Sequence, residues 1–203
     1  LLFAKYDEPD EYGFRKLISH VDVQYLDGVR DGYLRPFEAI LHDGQATWLV
    51  FGRDAQRLQL SDMERSIYKV ICEPGYWHGL VDRVIERVME VKATIDPDLR
   101  GLIAARDIKH ARAVTKYIKD KYPHVRTLTA VSEDGAEAHE ALSRFRAANS
   151  ADVLVAVQMA YVGYDCKQIT VLGILTSYRT EGYLRQLMAR GLRVLKDIPV
   201  ESQ

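Results

Sequence analysis

Gly101-Leu102-Ile103-Ala104-Ala105 and Asp152-Val153-Leu154-Val155-Ala156-Val157 are the two runs that decide the fold. Each is short and continuously apolar, the signature of a strand covered on both faces rather than one with a wet side. Between them, residues 107–121 read as a helix with Ile108, Ala111, Val114 and Ile118 inward. Val125 to Val131 is a strand candidate, and 135–147 a helix with Ala138, Leu142 and Phe145 on one face. Ile169 to Leu175 is a further strand and 180–191 a further helix. Strands alternating with helices imply a parallel sheet covered on both faces, because parallel neighbours need long crossovers. The fold class is α/β. In such sheets ligands bind beyond the carboxyl ends of the strands, so the loops after 105, 131, 157 and 176 are where function is expected.

Ahead of this region the pattern is different. Leu80, Val81, Val84, Ile85, Val88 and Met89 recur at intervals of three and four, which predicts an amphipathic helix over 78–94, ended by Asp96-Pro97. A Pro74-Gly75 break precedes it, and 55–72 reads as helical. Asp43-Gly44 lies between two apolar runs, 34–41 and 46–51, and predicts a hairpin because that turn needs positive φ. Residues 19–31 suit a short helix, and the first 18 read as a loosely attached lead-in. There is no internal repeat and no low-complexity tract.

The 203 residues are 47% hydrophobic and 28% charged, without an apolar run long enough for a bilayer, which excludes a disordered chain and an integral membrane protein. Twenty-eight Lys and Arg balance 29 Asp and Glu, a net charge of −1 that by itself points to no polyanion partner. Cys72 and Cys166 are far apart, and the six histidines include no pair at a ligand spacing, so neither a disulfide framework nor a metal site is expected. A reducing, cytoplasmic setting is the default. The start at Leu1-Leu2-Phe3-Ala4-Lys5, without Met or a basic leader, suggests a fragment or a processed chain.

No G-x-x-x-x-G-K-[ST] loop is present to cradle phosphates, nor a G-x-S-x-G elbow, nor a Cys/His nucleophile pair. Three features remain, each with two readings. On a helix Gln186, Arg190 and Arg193 share a face, and planar guanidiniums there suit a phosphate chain; the same spacing also describes a solvated helix face. Gly163-Tyr164-Asp165 offers close backbone approach and a carboxylate for a ribose hydroxyl or an Arg, or it is an ordinary turn. Residues 100–126 carry Arg100, Arg106, Lys109, Arg112, Lys116, Lys119, Lys121 and Arg126 against only Asp107 and Asp120, which is either a phosphate-tracking surface or a solvated one.

In order, these pieces resemble the motifs of superfamily 2 helicases and translocases. Gly101 to Arg106 followed by Ile108-Lys109-His110-Ala111, with Phe145-Arg146 downstream, resembles motif IV and its sequel. Val155-Ala156-Val157-Gln158-Met159-Ala160-Tyr161-Val162-Gly163-Tyr164-Asp165 resembles motif V of the restriction-type branch, V-x-V-x-M-x-x-x-G-x-D. Gln186-Leu187-Met188-Ala189-Arg190-Gly191-Leu192-Arg193 resembles motif VI, Q-x-x-G-R-x-x-R, with Ala189 at the usual Gly. Asp31-Gly32-Tyr33-Leu34-Arg35-Pro36, Asp43-Gly44 and Trp48 resemble the segment joining the motor lobes in bacterial DEAD/DEAH-box proteins related to type III restriction Res subunits.

The resemblance implies a RecA-like lobe, with 1–95 as an inter-lobe segment of helix and hairpin packing on it and 96–203 as the helicase C-terminal domain. It implies that Arg190 and Arg193 act as arginine fingers, with Gln186 orienting the same site, towards ATP and Mg2+ held mainly by a preceding Walker A lobe. Gly163 and Asp165 would sit by the nucleotide and couple it to a DNA track. Arg106, Lys109 and Gln158 would contact the nucleic-acid backbone, Gln158 standing where many relatives carry Thr or Gly. The implied function is the second motor lobe of an ATP-dependent DNA helicase or translocase, inactive without its partner lobe. The alternative is a non-catalytic nucleic-acid-binding or assembly module on the same fold.

Overall fold

The computed structural model describes residues 5–6, 17–18, 25–40, 45–48, 56–59, 70–158, 164–176 and 181–195. In chain order, β1 (Lys5–Tyr6), β2 (Leu17–Ile18), α1 (Tyr25–Arg30), β3 (Gln45–Trp48) and β4 (Gln56–Gln59) lead to α2 (Pro74–Thr94). The larger elements follow as β5 (Arg100–Ala105), α3 (Ile108–Lys121), β6 (Thr127–Ala130), α4 (Ala136–Arg146), β7 (Val153–Ala156), β8 (Ile169–Leu175) and α5 (Glu181–Gly191). A single 3-10 turn, Ser132–Asp134, separates β6 from α4.

Strands β5 to β8 form one sheet in the order β6-β7-β5-β8, parallel at every pairing. The apolar runs that look undifferentiated in sequence keep the strand period of two, but both faces are dry. Ile103, Ala105, Val153, Val155 and Leu175 pack against α2 and α3 on one side. Leu102, Ala104, Leu154, Ala156 and Ile169 pack against α4 and α5 on the other. The α/β expectation therefore holds, with helices on both faces as the crossovers require.

Helix α2 is built by Val81, Val84, Ile85, Val88 and Val91 on one buried stripe. It starts at Pro74 rather than 78, because proline at the first helical position has a preset φ and lacks only a donor that would be unpaired there. The indole Nε1 of Trp77 donates to the Cys72 carbonyl at 3.2 Å and ties the entry down. A polar seam joins α2 to α3: Asp82 accepts from Tyr117 and Tyr122 at 2.8 Å and from Lys121 at 2.7 Å. Helix α3 opens with Asp107 as its N-cap, accepting from the His110 amide at 2.8 Å.

Gly101 is required by packing. A Cβ there would stand 2.6 Å from Val88 Cγ2, so α2 lies as close to the sheet as a bare backbone permits. Gly101→Ala is expected to lower unfolding free energy by about 1–3 kcal/mol. Gly79→Ala, at an exposed position of α2 with open space around it, is expected to raise it by about 0.5–1 kcal/mol. Paired urea titrations read both signs.

Asp152, just before β7, is a buried carboxylate that anchors the amino ends of β6 and β7. It accepts from Arg126 Nη2 at 2.8 Å and from the Arg126 amide at 2.9 Å, and pairs with Lys92 of α2 at 3.2 Å. Burial alone would raise its carboxyl, but the Arg126 and Lys92 donors outweigh it and hold the group down at about 2. A depressed folded-state value means stability that is complete above the ordinary carboxylate range and lost as pH falls from about 4 towards 2. Asp152→Asn is expected to lower stability at pH 7 by about 2 kcal/mol and to flatten that acid limb, read by thermal melts from pH 7 to pH 2.

Ahead of α2 the structure overturns a pair of expectations. Residues 56–59 of the predicted helix 55–72 are strand β4, and most of the remainder lies outside the described residues. Strand β3 does pair antiparallel in a hairpin, but with β4 in the register Gln45↔Gln59 to Trp48↔Gln56, not with 34–41. Residues 35–40 carry no regular secondary structure. The Asp43-Gly44 turn itself lies outside the described residues. Pro36 removes a ladder donor from the run that would have had to pair, which favours the partner downstream. No helix among the described residues is long and apolar enough to cross a membrane.

Candidate functional site

Two groups of the expected residues lie at opposite ends of the sheet. At the carboxyl edge, Arg106 follows β5 directly and Gln158 lies just past β7, the neighbouring strand, so both emerge on the same rim. Gln158 is exposed with φ +56, a left-handed conformation uncommon for a residue with a side chain, and it turns the chain sharply off the strand end. Lys109 is exposed in the first turn of α3 above the same rim. The Arg106 guanidinium is held in place, with Nη1 at 3.3 Å from Cys72 Sγ and 3.4 Å from Asp107 Oδ2. The rim thus presents one steadied guanidinium, one exposed lysine and one amide.

At the other end lie Arg190, in the last turn of α5, and Arg193, just beyond it. The helix buries Leu187 in the second core and runs back along β8, so that its last turn returns to the strand's amino end; a Cβ on Gly191 would meet Leu172 at 3.1 Å. Arg190 Nη1 donates to the Tyr164 carbonyl at 2.6 Å, and burial lowers the pKa of its guanidinium. Tyr164 is itself fixed, its hydroxyl donating to the Leu142 carbonyl at 2.8 Å with the Arg146 cation 5.2 Å from its ring centre. Asp165 and Arg193 form an ion pair with side chains 59% and 32% exposed. Gln186, a turn earlier, is exposed.

Arg193 does not lie on the helical face that its spacing suggested. The helix ends at Gly191, and Arg193 instead forms an antiparallel bridge with Leu34. The grouping survives because Asp165 draws the guanidinium to the same corner as Arg190. Nor does this corner lie at the carboxyl edge where ligand loops were expected. An α5 antiparallel to β8 must end at the strand's amino side, about 20 Å from the Arg106 rim for a six-residue β5. Gly163 lies outside the described residues.

The basic stretch 100–126 does not act as one surface. Arg100 is buried, with Nη2 2.6 Å from Asp98 Oδ1, and Arg126 is bound to Asp152. Lys121 pairs with Asp82, Arg112 with Glu133 and Asp134, and Lys116 with Asp120. Much of the sequence asymmetry is therefore neutralised across elements, which spacing along one helix could not show.

Arg35 enters the sequence reading only as a member of the joining segment, yet it is 2% exposed and touches the end of α5. Its Nε donates to the Gly191 carbonyl and its Nη2 to the Ile169 carbonyl, both at 2.6 Å. Burial lowers its pKa to about 10. No periodicity marks a buried arginine in a segment without regular structure, so its burial is visible only in three dimensions.

A four-stranded parallel sheet between two helical layers is a RecA-like α/β arrangement. The structure is similar to a fragment assigned as an HsdR subunit of a type I restriction enzyme from Vibrio vulnificus YJ016, with a TM-score of 0.52 and 16% identity over 68% of this chain and 27% of that one. It also matches the Hef helicase domain of Pyrococcus furiosus with a TM-score of 0.43, 14% identity, and coverage of 55% and 22%. No protein-family profile matches the chain. By sequence it is 26% identical over 175 residues to the uncharacterized protein ML1624 of Mycobacterium leprae, and 24% identical over 197 residues to the uncharacterized protein Rv2917 of Mycobacterium tuberculosis. These alignments take in 83% and 94% of this chain but span only 29% and 32% of the two relatives' lengths. The HsdR likeness bears on fold alone, and the fold is a RecA-like α/β sheet.

Proposed function

We propose that the chain is the second motor lobe of an ATP-dependent DNA helicase or translocase, of the DEAD/DEAH-box branch related to type III restriction Res subunits. In this reading 1–95 joins it to a preceding Walker A lobe and 96–203 is the helicase C-terminal domain. The observation that carries the reading is the meeting of Tyr164-Asp165 with Arg190 and Arg193, Arg190 on the Tyr164 carbonyl and Arg193 on the Asp165 carboxylate: two motifs distant in sequence converge on one corner of a RecA-like sheet, away from the Arg106 rim.

Such a division suits a motor. The corner offers two permanently charged guanidiniums to a phosphate chain, and the opposite rim offers Arg106, Lys109 and Gln158 to a nucleic-acid backbone. ATP with Mg2+, held mainly by the preceding lobe, supplies the phosphoryl group; Arg190 and Arg193 place positive charge where negative charge develops, and Gln186 orients the same region. Asp165 holds Arg193 until the lobes close, and Gly163 and Asp165 stand by the nucleotide and couple it to the DNA track. Contacts at the rim track phosphates without reading sequence, in the cytoplasm and away from membranes.

A second reading has its own support. Arg190 is bonded to a carbonyl of its own lobe and Arg193 to Asp165, which suits arginines that brace a non-catalytic nucleic-acid-binding or assembly module. DNA-stimulated ATP hydrolysis by the full-length protein separates the two. Turnover that depends on Arg190 supports the motor, and unchanged turnover in Arg190→Ala supports the module.

A further inference from the structure

We propose that Arg35 is the positioning residue of the arginine corner: it locks the end of α5 to the start of β8 and so sets where Arg190 and Arg193 stand. For its effect on turnover the inference rests on the motor reading above; for its effect on α5 it does not.

The last carbonyls of any helix lack intrahelical partners and carry the negative end of the helix dipole. Gly191 O is one of these, and Arg35 Nε satisfies it at 2.6 Å. The same guanidinium reaches Ile169 O, at the first residue of β8, through Nη2 at 2.6 Å. One rigid planar group therefore spans from helix end to strand start and fixes their separation, which a flexible lysine stem with a point charge cannot do. The backbone repeats the link: the Arg35 amide donates to Leu192 O at 3.1 Å, and Leu34 bridges Arg193. On its outer side the strap is held by Tyr25, whose hydroxyl donates to Arg35 O at 3.4 Å and accepts from the Phe37 amide at 3.0 Å.

Burying this cation is costly. Arg35 Nη1 is buried without a hydrogen-bond partner among the described residues, and the hydrogen bonds of the guanidinium go to carbonyls. A surface salt bridge would hold a joining segment at less cost, so the arrangement is suited to precision of placement. Residues 25–40 and the arginine corner consequently move as one piece, and a shift of the joining segment is delivered to Arg190 and Arg193.

The test uses the full-length protein as wild type, Arg35→Ala, Arg35→Lys and the milder Tyr25→Phe. Amides of 183–195 are expected to exchange about tenfold faster in Arg35→Ala, with Arg35→Lys in between and with 101–105 and 153–156 unchanged. DNA-stimulated kcat is expected to fall about tenfold in Arg35→Ala, with KM for ATP within about twofold, because the placement matters in the transition state. Unchanged exchange in α5 overturns the proposal, as does loss of protection in β5 and β7 as well, which would make Arg35 a general stabiliser. Faster α5 exchange with kcat unaltered also overturns it. If the wild type hydrolyses no ATP, the motor reading fails and the exchange result alone decides the positioning role.

Discussion

Arg190→Ala in the full-length protein is expected to lower DNA-stimulated ATP turnover about a hundredfold or more, with DNA binding retained. A hundredfold is about 2.7 kcal/mol of transition-state stabilisation, the scale of one charged donor removed from a site where phosphoryl charge develops. Arg190 already has an acceptor in the Tyr164 carbonyl, so in the motor reading proposed above it exchanges one charged hydrogen bond for another. That exchange costs little in water and more in a partly buried site, which fits a guanidinium whose pKa burial already lowers. Arg193→Ala is expected to fall in the same range while keeping its backbone bridge to Leu34. Steady-state hydrolysis with and without DNA, beside a filter-binding measurement, reads both halves of the prediction.

Phe145→Ala is expected to lower unfolding free energy by about 3–5 kcal/mol, through lost transfer energy and the cavity left behind. Phe145 is fully buried at the end of α4, and its neighbours Leu102, Leu154 and Ile169 come from strands that cannot collapse into the gap without breaking register. Its ring also lies 5.6 Å from the Arg100 guanidinium, whose Nη1 donates to the Phe145 carbonyl, so the truncation removes the apolar cover from a buried charge. A urea midpoint lowered at constant m would show lost stability alone; a changed m would show that the second core no longer unfolds with the sheet.

The fold was legible where its physics is local or repetitive. Leu102-Ile103-Ala104 and Val153-Leu154-Val155 announce dry strands by composition, and the stripe from Val81 to Val91 announces a helix by period. Partner choice was not legible. Trp48 pairs with Gln56 and not with the run before Asp43-Gly44, because the competition between hairpins is decided by which strand can supply donors. The candidate corner was half legible: Arg190 and Asp165 stand out by motif, whereas Arg193 reaches it from beyond the helix end. Arg35 was invisible as a buried anchor, since nothing in Leu34-Arg35-Pro36 says which carbonyls will come to meet it.

The Arg35 contact to Gly191 joins positions 156 residues apart. Contacts of such separation form late, because the intervening chain must first be ordered to make closure favourable. A nascent chain can pair β5, β6 and β7 while the strap still lacks its helix. The arginine corner then forms after the Arg106 rim during synthesis, so chains stalled before α5 would carry the rim without the corner.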